Sequence, residues 1–142
     1  MVVDRGLERE IWRRAGDACE YCRMPQAFYD TRHQIDHIIA RKHRGLTTIE
    51  NLALACFPCN NHKGPNIAGI DPLTGTMAPL FHPRRQKWGR HFRWDGPRLI
   101  GRTMIGRATI AVLEINHPDA IVVRDALMVE GVFPPATRSR DT

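Results

Sequence analysis

The sequence lacks long apolar runs. Its 142 residues are 42% hydrophobic, but the apolar stretches are only a few residues long, as at residues 121–123. A membrane-spanning helix needs about 20 apolar residues, so none is predicted. Residues 1–10 alternate apolar and charged side chains and do not form the apolar core of a secretion signal. We therefore expect a cytoplasmic protein that does not enter a membrane.

The sequence also lacks internal repeats and low-complexity segments, which excludes solenoid and other repeat architectures. Charged residues make up 25% of the chain, which is ordinary for a soluble globular protein. The length suits a single domain with a modest core.

Acidic residues are outnumbered by basic ones, 15 against 21, and the net charge is +6. Between residues 82 and 107 the only acidic residue is Asp95. A concentrated positive charge favours a polyanionic partner, most simply nucleic acid, although a solvated basic face is the alternative. The basic residues of this stretch are Arg84, Arg85, Lys87, Arg90, Arg93, Arg98, Arg102 and Arg107.

The sequence has few cysteines, and their spacing groups all of them into two motifs. The four cysteines form two Cys-x-x-Cys turns, Cys19 with Cys22 and Cys56 with Cys59. A two-residue spacer lets one turn aim two thiolates at one ion, and two such turns complete a tetrahedral shell. We predict a structural zinc ion with no open position for substrate. The alternatives are four unrelated buried cysteines or a redox-active pair.

Local patterns predict the elements around these turns. A helix begins after Asp4, places apolar residues on one face and ends at Gly16. A strand is expected within residues 33–40 and a basic loop over residues 41–50. A second strand is expected from Leu52, where larger residues alternate with smaller ones, and a short helix from about Asn60.

The second half carries weaker signals. Residues 64–83 are expected to form an irregular connection because they are rich in Gly and Pro. Strands are predicted at residues 98–104 and 109–115, then a helix over residues 118–130 that Asn116 caps and Gly131 ends, and a loose tail from residue 134. Trp88, Phe92 and Trp94 are interpreted as core residues, with base stacking as the alternative.

Four polar residues lie in or beside the segment between the cysteine pairs: Asp36, His37, Asn51 and Asn60. Hydrolysis of a phosphodiester needs a general base and a cation on the phosphate. His37 can be the base, and the oxygens of Asp36 and Asn60 suit Mg²⁺ or Mn²⁺. Asn51 can accept a hydrogen bond from the imidazole. Because neighbours on a strand point to opposite faces, Asp36 and His37 share a cleft only if the strand bends or ends there. Taken singly, these residues are equally typical of surface and turn positions.

Three stretches of the chain together resemble the HNH endonuclease family: Cys-Glu-Tyr-Cys at residues 19–22, Ile-Asp-His-Ile-Ile at residues 35–39, and Glu-Asn-Leu-Ala-Leu-Ala-Cys-Phe-Pro-Cys-Asn-Asn-His-Lys-Gly at residues 50–64. The resemblance covers about residues 5–64. It implies a ββα-metal core with one catalytic divalent ion, Asp36 and Asn60 as its ligands, His37 as general base and Asn51 as the central Asn. His62 is a second-choice ligand, and Lys63 is expected to hold the phosphate.

The predicted fold is therefore α+β: a small ββα-metal core with a zinc knuckle over residues 1–66, and a basic α+β extension over residues 67–142 packed on or beside it. The predicted function is a DNA endonuclease that leaves a 5′-phosphate and a 3′-hydroxyl, as the resemblance implies. The alternatives are a zinc-containing DNA-binding module and a structural subunit of an assembly.

His33 is expected to be a polar surface residue, and His43 to belong to the basic loop. The expected DNA contacts are Arg41, Lys42, Arg44, Lys63, Arg84, Arg85 and Lys87.

Overall fold

The computed structural model describes residues 3–136, which form five α-helices and three antiparallel two-stranded sheets. The helices are α1 (Arg5–Ala15), α2 (Phe57–Lys63), α3 (Trp88–His91), α4 (Met104–Leu113) and α5 (Pro118–Val129). The strands pair in chain order as β1 (Gln34–His37) with β2 (Leu52–Ala55), β3 (Ala68–Ile70) with β4 (Met77–Pro79), and β5 (Phe92–Asp95) with β6 (Arg98–Gly101).

The first helix forms as its sequence predicts. The Asp4 side chain accepts a hydrogen bond from the Leu7 N–H, and Gly16 ends the helix in the left-handed conformation with φ 64°. The buried face of α1 includes Ile11, which packs against Leu52 of β2. This contact holds α1 against the β1–β2 hairpin.

The hairpin and the helix after it form the ββα core, which confirms the predicted fold class. Asp36 pairs with Ala53 and His37 with Leu52, and β1 ends at His37. The second strand forms from Leu52 as predicted, and all four residues of β2 are buried beside two apolar clusters. Helix α2 begins at Phe57, before the expected Asn60, because Pro58 is favourable in the first turn of a helix.

Two predictions for the second half are wrong. The expected irregular connection over residues 64–83 contains the β3–β4 hairpin. The strand expected at residues 109–115 is mostly helix, because Thr103 caps α4 by accepting from the Gly106 N–H. The β-branched residues that suggested a strand are accommodated there. Thr109 donates its hydroxyl to the Ile105 carbonyl one turn earlier.

The predicted last helix is present as α5, but its cap is His117 instead of Asn116. Asn116 instead hydrogen-bonds both the N–H and the carbonyl of Leu99, which ties the chain to β6. Most of the tail predicted from residue 134 lies outside the described residues.

The larger apolar cluster contains side chains from both halves of the sequence. Trp88 and Phe92 are buried in it beside the cysteines, and Trp94 packs against it, as the core interpretation predicted. The division of the chain at residue 66 stays a prediction. In the part of the chain that is described, no helix is both long and apolar enough to cross a membrane.

Candidate functional site

The four cysteines converge on one buried point. Their sulfur atoms all lie within 4.8 Å of one another, and the Cys22 and Cys56 sulfurs are 3.7 Å apart. Four thiolates about 2.3 Å from a tetrahedral zinc ion stand about 3.8 Å from each other, whereas a disulfide needs about 2.0 Å. This donor set fits a zinc ion. We call these four residues the knuckle.

A second group of polar residues lines an open groove of 460 Å³ where β1 meets α2. Asp36 and His37 enter it from the end of β1, and Asn60 enters it from α2. Because β1 ends at His37, two neighbouring residues can face the same groove. We call this the groove.

Asp36 is 5% exposed and is already hydrogen-bonded. Its Oδ2 accepts from the Tyr21 hydroxyl at 2.8 Å, and its carboxylate receives the Lys63 ammonium at 3.2 Å. Burial raises the pKa of Asp36, and the charge of Lys63 opposes that shift. The carboxylate and the amide oxygen of Asn60 are hard donors that suit Mg²⁺ or Mn²⁺, but Lys63 is the cation that Asp36 binds in this structure.

Lys63 was expected to contact a phosphate, and the structure corrects that expectation. It is 1% exposed and also donates to the His37 carbonyl at 3.0 Å. Lys63 lies one helical turn after the buried Cys59, so both face inward from α2. The inward face brings the ammonium to Asp36 and away from solvent.

His37 is partly exposed at the groove, and its Nε2 lies 2.9 Å from the Thr47 hydroxyl. Burial, together with the nearby cations Arg41 and Lys63, lowers the pKa of His37. The imidazole is therefore mostly neutral at pH 7, which is the form that can accept a proton.

Asn51 does not bind the imidazole as expected. Its Oδ1 accepts from the Ile39 N–H at 2.9 Å, and its Nδ2 donates to the carbonyls of Ile39 and Leu46 at 3.0 and 2.8 Å. These bonds close the loop after β1. Gly45 is required in that loop, because a Cβ there would lie 1.6 Å from the Ile39 carbonyl oxygen.

Asn60 donates its amide Nδ2 to the Gln34 Oε1 at 2.6 Å. This bond orients the amide so that the oxygen is the atom left for a cation. His62, the second-choice ligand, instead places Nδ1 2.9 Å from Glu114 of the chain after α4 and does not line the groove.

The comparison with known families agrees with this geometry. The HNH endonuclease family model matches residues 19–66, which include the knuckle, β1, β2 and α2. Residues 19–66 are similar to the HNH endonuclease family, and we call them the HNH segment. No curated protein and no solved structure matches the chain.

His33, expected at the surface of the HNH segment, is buried. It is 3% exposed, its Nε2 lies 2.8 Å from the Met24 carbonyl, and its ring stacks on Trp12. The polar flank of β1 that suggested exposure is covered by α1 and by the chain after the first cysteine turn, so His33 is a packing residue.

The basic residues predicted to contact DNA separate into two groups. Arg41, Lys42 and Arg44 are exposed in the loop beside the groove of the HNH segment. Arg85 and Lys87 are exposed elsewhere, while the neighbouring Arg84 is 12% exposed and pairs with Glu20. Arg84, which was expected to contact DNA, is instead mostly buried against Glu20.

Sequence reasoning missed two residues of the HNH segment that hold the groove together. Tyr21 lies inside the first cysteine turn and reaches Asp36, 15 positions later. Thr47 lies in the basic loop and reaches His37. The position of Tyr21 beside two metal ligands was a usable signal, whereas nothing in the local pattern distinguished Thr47 from Thr48.

Proposed function

We propose that this chain is a metal-dependent DNA endonuclease that hydrolyses phosphodiester bonds in the groove. The family match supports a nuclease-type activity in general. The observation that carries the specific proposal is the convergence of Asp36, His37 and Asn60 on one open groove. A module that only binds DNA does not need a neutral imidazole between two hard oxygen donors.

In the proposed reaction, His37 takes a proton from a water molecule whose oxygen attacks the phosphorus. The phosphorus–O3′ bond breaks, and the leaving O3′ takes a proton from solvent water, which gives a 5′-phosphate and a 3′-hydroxyl. The Thr47 hydroxyl holds the imidazole through Nε2. Asp36 and Asn60 would hold a Mg²⁺ or Mn²⁺ ion, which when bound stabilises negative charge on the phosphate and on the leaving oxygen.

The knuckle is proposed to hold a Zn²⁺ ion. The ion is structural in this proposal, because four thiolates leave no coordination position for substrate. Four free thiols fit a reducing compartment such as the cytoplasm. DNA is the proposed polyanion, and Arg41, Lys42 and Arg44 are proposed to contact its backbone next to the groove.

The test is a plasmid-cleavage assay with Mg²⁺, Mn²⁺ or EDTA. His37→Ala is expected to reduce the cleavage rate by about 10²–10⁴-fold, because a general base contributes that much. His43→Ala is the matched control, since His43 is exposed in the neighbouring loop and does not line the groove. Circular dichroism should give the same folded spectrum for both variants. Equal cleavage by His37→Ala and the parent would remove the catalytic assignment.

The rival function is a zinc-containing DNA-binding module without catalysis. The observation that favours it is the Lys63 ammonium on Asp36, which neutralises the proposed metal ligand without a metal ion. A parent protein that binds duplex DNA but cuts it with none of the divalent ions would support this alternative.

A further inference from the structure

A second recess, of 400 Å³, lies away from the groove and is unusually rich in cations. We call it the arginine recess. Among the described residues that line it, Glu20 alone is acidic, and Trp88 forms part of its wall. The cationic residues that line it are Arg14, Arg23, Arg84, Arg85 and Lys87.

The recess is assembled from three distant parts of the chain along the edge of β2 that does not pair with β1. Arg14, near the end of α1, donates to the carbonyls of Ile49 and Leu52. Glu20 accepts from the Leu54 N–H at 2.9 Å and also pairs with Arg84. Arg14 and Arg84 are therefore held in place by backbone and side-chain contacts, whereas Arg85 and Lys87 are exposed at the rim.

The recess residues contain most of the unsatisfied buried donors in the described part of the chain. Four buried side-chain atoms there have no hydrogen-bond partner, and three belong to this recess: Nε of Arg14, and Nε and Nη1 of Arg84. Buried donors are nearly always satisfied in folded proteins, so the recess is the part of the described chain where an added acceptor would satisfy the most donors.

Trp88 and Arg23 make the wall of the recess rigid. The Arg23 guanidinium lies 4.7 Å from the centre of the Trp88 ring, and the Trp88 indole N–H donates to the Tyr21 carbonyl at 2.9 Å. The wall is thus attached to the same cysteine turn that carries the knuckle. A preorganised cationic wall loses little conformational entropy when an anion binds.

We propose that the arginine recess binds a phosphate group. Its donors come from three separate parts of the chain, namely α1, Arg23 and residues 84–87, so they can approach a ligand from more than one direction. A tetrahedral phosphate accepts hydrogen bonds in that arrangement, whereas a planar carboxylate accepts them mainly in one plane.

The phosphate can come from a polynucleotide backbone or from a small phosphate-containing molecule. Leu52 connects the recess to the groove, because it pairs with His37 across the hairpin and its carbonyl accepts from Arg14. A DNA backbone phosphate is the source expected if the groove cuts DNA, and this assignment alone depends on the proposed function. Phosphate binding itself does not depend on cleavage.

The first experiment titrates inorganic phosphate into the full chain carrying His37→Ala and follows the indole N–H signals by NMR. The chain has three tryptophans, which provide an internal control. Saturable shifts are expected for Trp88 and not for Trp12 or Trp94. Sodium chloride at equal ionic strength separates a specific site from salt effects, and absence of a saturable Trp88 shift would overturn the proposal.

The second experiment compares two double variants that each remove two exposed positive charges. Arg85→Gln with Lys87→Gln alters the recess, and Arg90→Gln with Arg93→Gln leaves it intact. The first pair should abolish the Trp88 response to phosphate, and the second pair should preserve it. Equal responses from the two pairs would show that the recess is not the binding site.

The same variants identify the source of the phosphate when they are measured with duplex DNA without divalent ions. If the recess takes one backbone phosphate, the recess pair should lower the slope of log affinity against log salt by about 0.9 and weaken binding about tenfold. Phosphate binding with unchanged DNA affinity would support a small phosphate-containing ligand instead. Because the His37→Ala background does not need to cut, these outcomes are independent of the cleavage assay.

Discussion

The knuckle and the groove both gather donor atoms of the kind that bind metal ions, but their donors are in opposite states. The four sulfurs of the knuckle face one another within 4.8 Å. The Asp36 carboxylate of the groove is instead held by Tyr21 and neutralised by Lys63. Soft, buried and self-contained donors suit a permanent structural ion, whereas hard donors with a resident cation suit an exchangeable one.

This difference indicates that the two centres contribute to folding in different ways. Without an ion, the knuckle leaves four buried thiols facing each other, so metal binding is coupled to folding. Without an ion, the groove keeps the Lys63–Asp36 pair, so the groove can fold before a metal ion binds. The following variants test this contrast.

The largest effect is expected at the knuckle. Cys56→Ser should lose the zinc ion and unfold at ambient temperature, because zinc binding to such sites supplies about 10–16 kcal/mol. Zinc content by elemental analysis and a thermal melt measure this. Cys56→His, which can still ligate zinc, should retain part of both. A Cys56→Ser protein that melts like the parent would contradict the structural zinc.

The next largest effect is expected from Lys63→Met, which keeps the apolar stem but leaves Asp36 unpaired. Loss of one partner from a buried pair costs about 3–5 kcal/mol. Added Mn²⁺ should raise the melting temperature more in this variant than in the parent, because the ion then binds a free carboxylate. Lys42→Met is the matched control, since Lys42 is exposed. Equal Mn²⁺ shifts in Lys63→Met and the parent would show that Lys63 does not compete with the ion.

A smaller effect is expected from Thr47→Val, which removes the hydroxyl beside His37 and preserves shape. Loss of a residue that orients a functional imidazole reduces activity about 10–100-fold. The turnover number should fall, and the DNA affinity and melting temperature should not change. Thr48→Val is the control, because the Thr48 side chain makes no capping hydrogen bond. A rate for Thr47→Val equal to that of the control would remove this positioning role.

The smallest effect is expected in how the free energy of unfolding depends on pH. It arises at His82, which lies outside the knuckle and the groove. Burial lowers the pKa of His82 from its ordinary 6.5 to about 4. The unfolded chain therefore binds more protons between these values, so stability is complete above pH 6.5 and falls as the pH approaches 4. One group changes the free energy of unfolding by at most about 1.4 kcal/mol per pH unit.

His82→Asn should flatten this pH dependence, because the Asn oxygen can still accept the Arg84 N–H that the imidazole accepts. Denaturant unfolding at pH 4.5, 5.5 and 7 measures it, with His43→Asn as control. The comparison also separates His82 from acid release of zinc, which would affect both variants. Parallel curves for His82→Asn and the parent would assign the acid loss to the knuckle.

Much of the fold and of the groove could be predicted because the signals are local. Asp4 at the N-cap and Gly16 at the C-cap fix where α1 begins and ends, and both signals lie next to the helix in the sequence. Helix α4 could not be predicted in the same way. Its β-branched residues favour a strand by propensity, and the capping by Thr103 and the packing of the helix outweigh that weak preference.

The sequence by itself determined the knuckle and the identity of the groove residues. Two Cys-x-x-Cys spacings aim four thiolates through short turns, and the sequence pattern singles out Asp36 and His37. These two neighbours face one groove because β1 ends at His37. Only the tertiary structure decided how these groups are paired. Lys63 meets Asp36 across 27 residues, and Arg84 meets Glu20 across 64. Such pairs depend on which helix face is buried and which strand edge is covered, and those are properties of packing that no local pattern encodes.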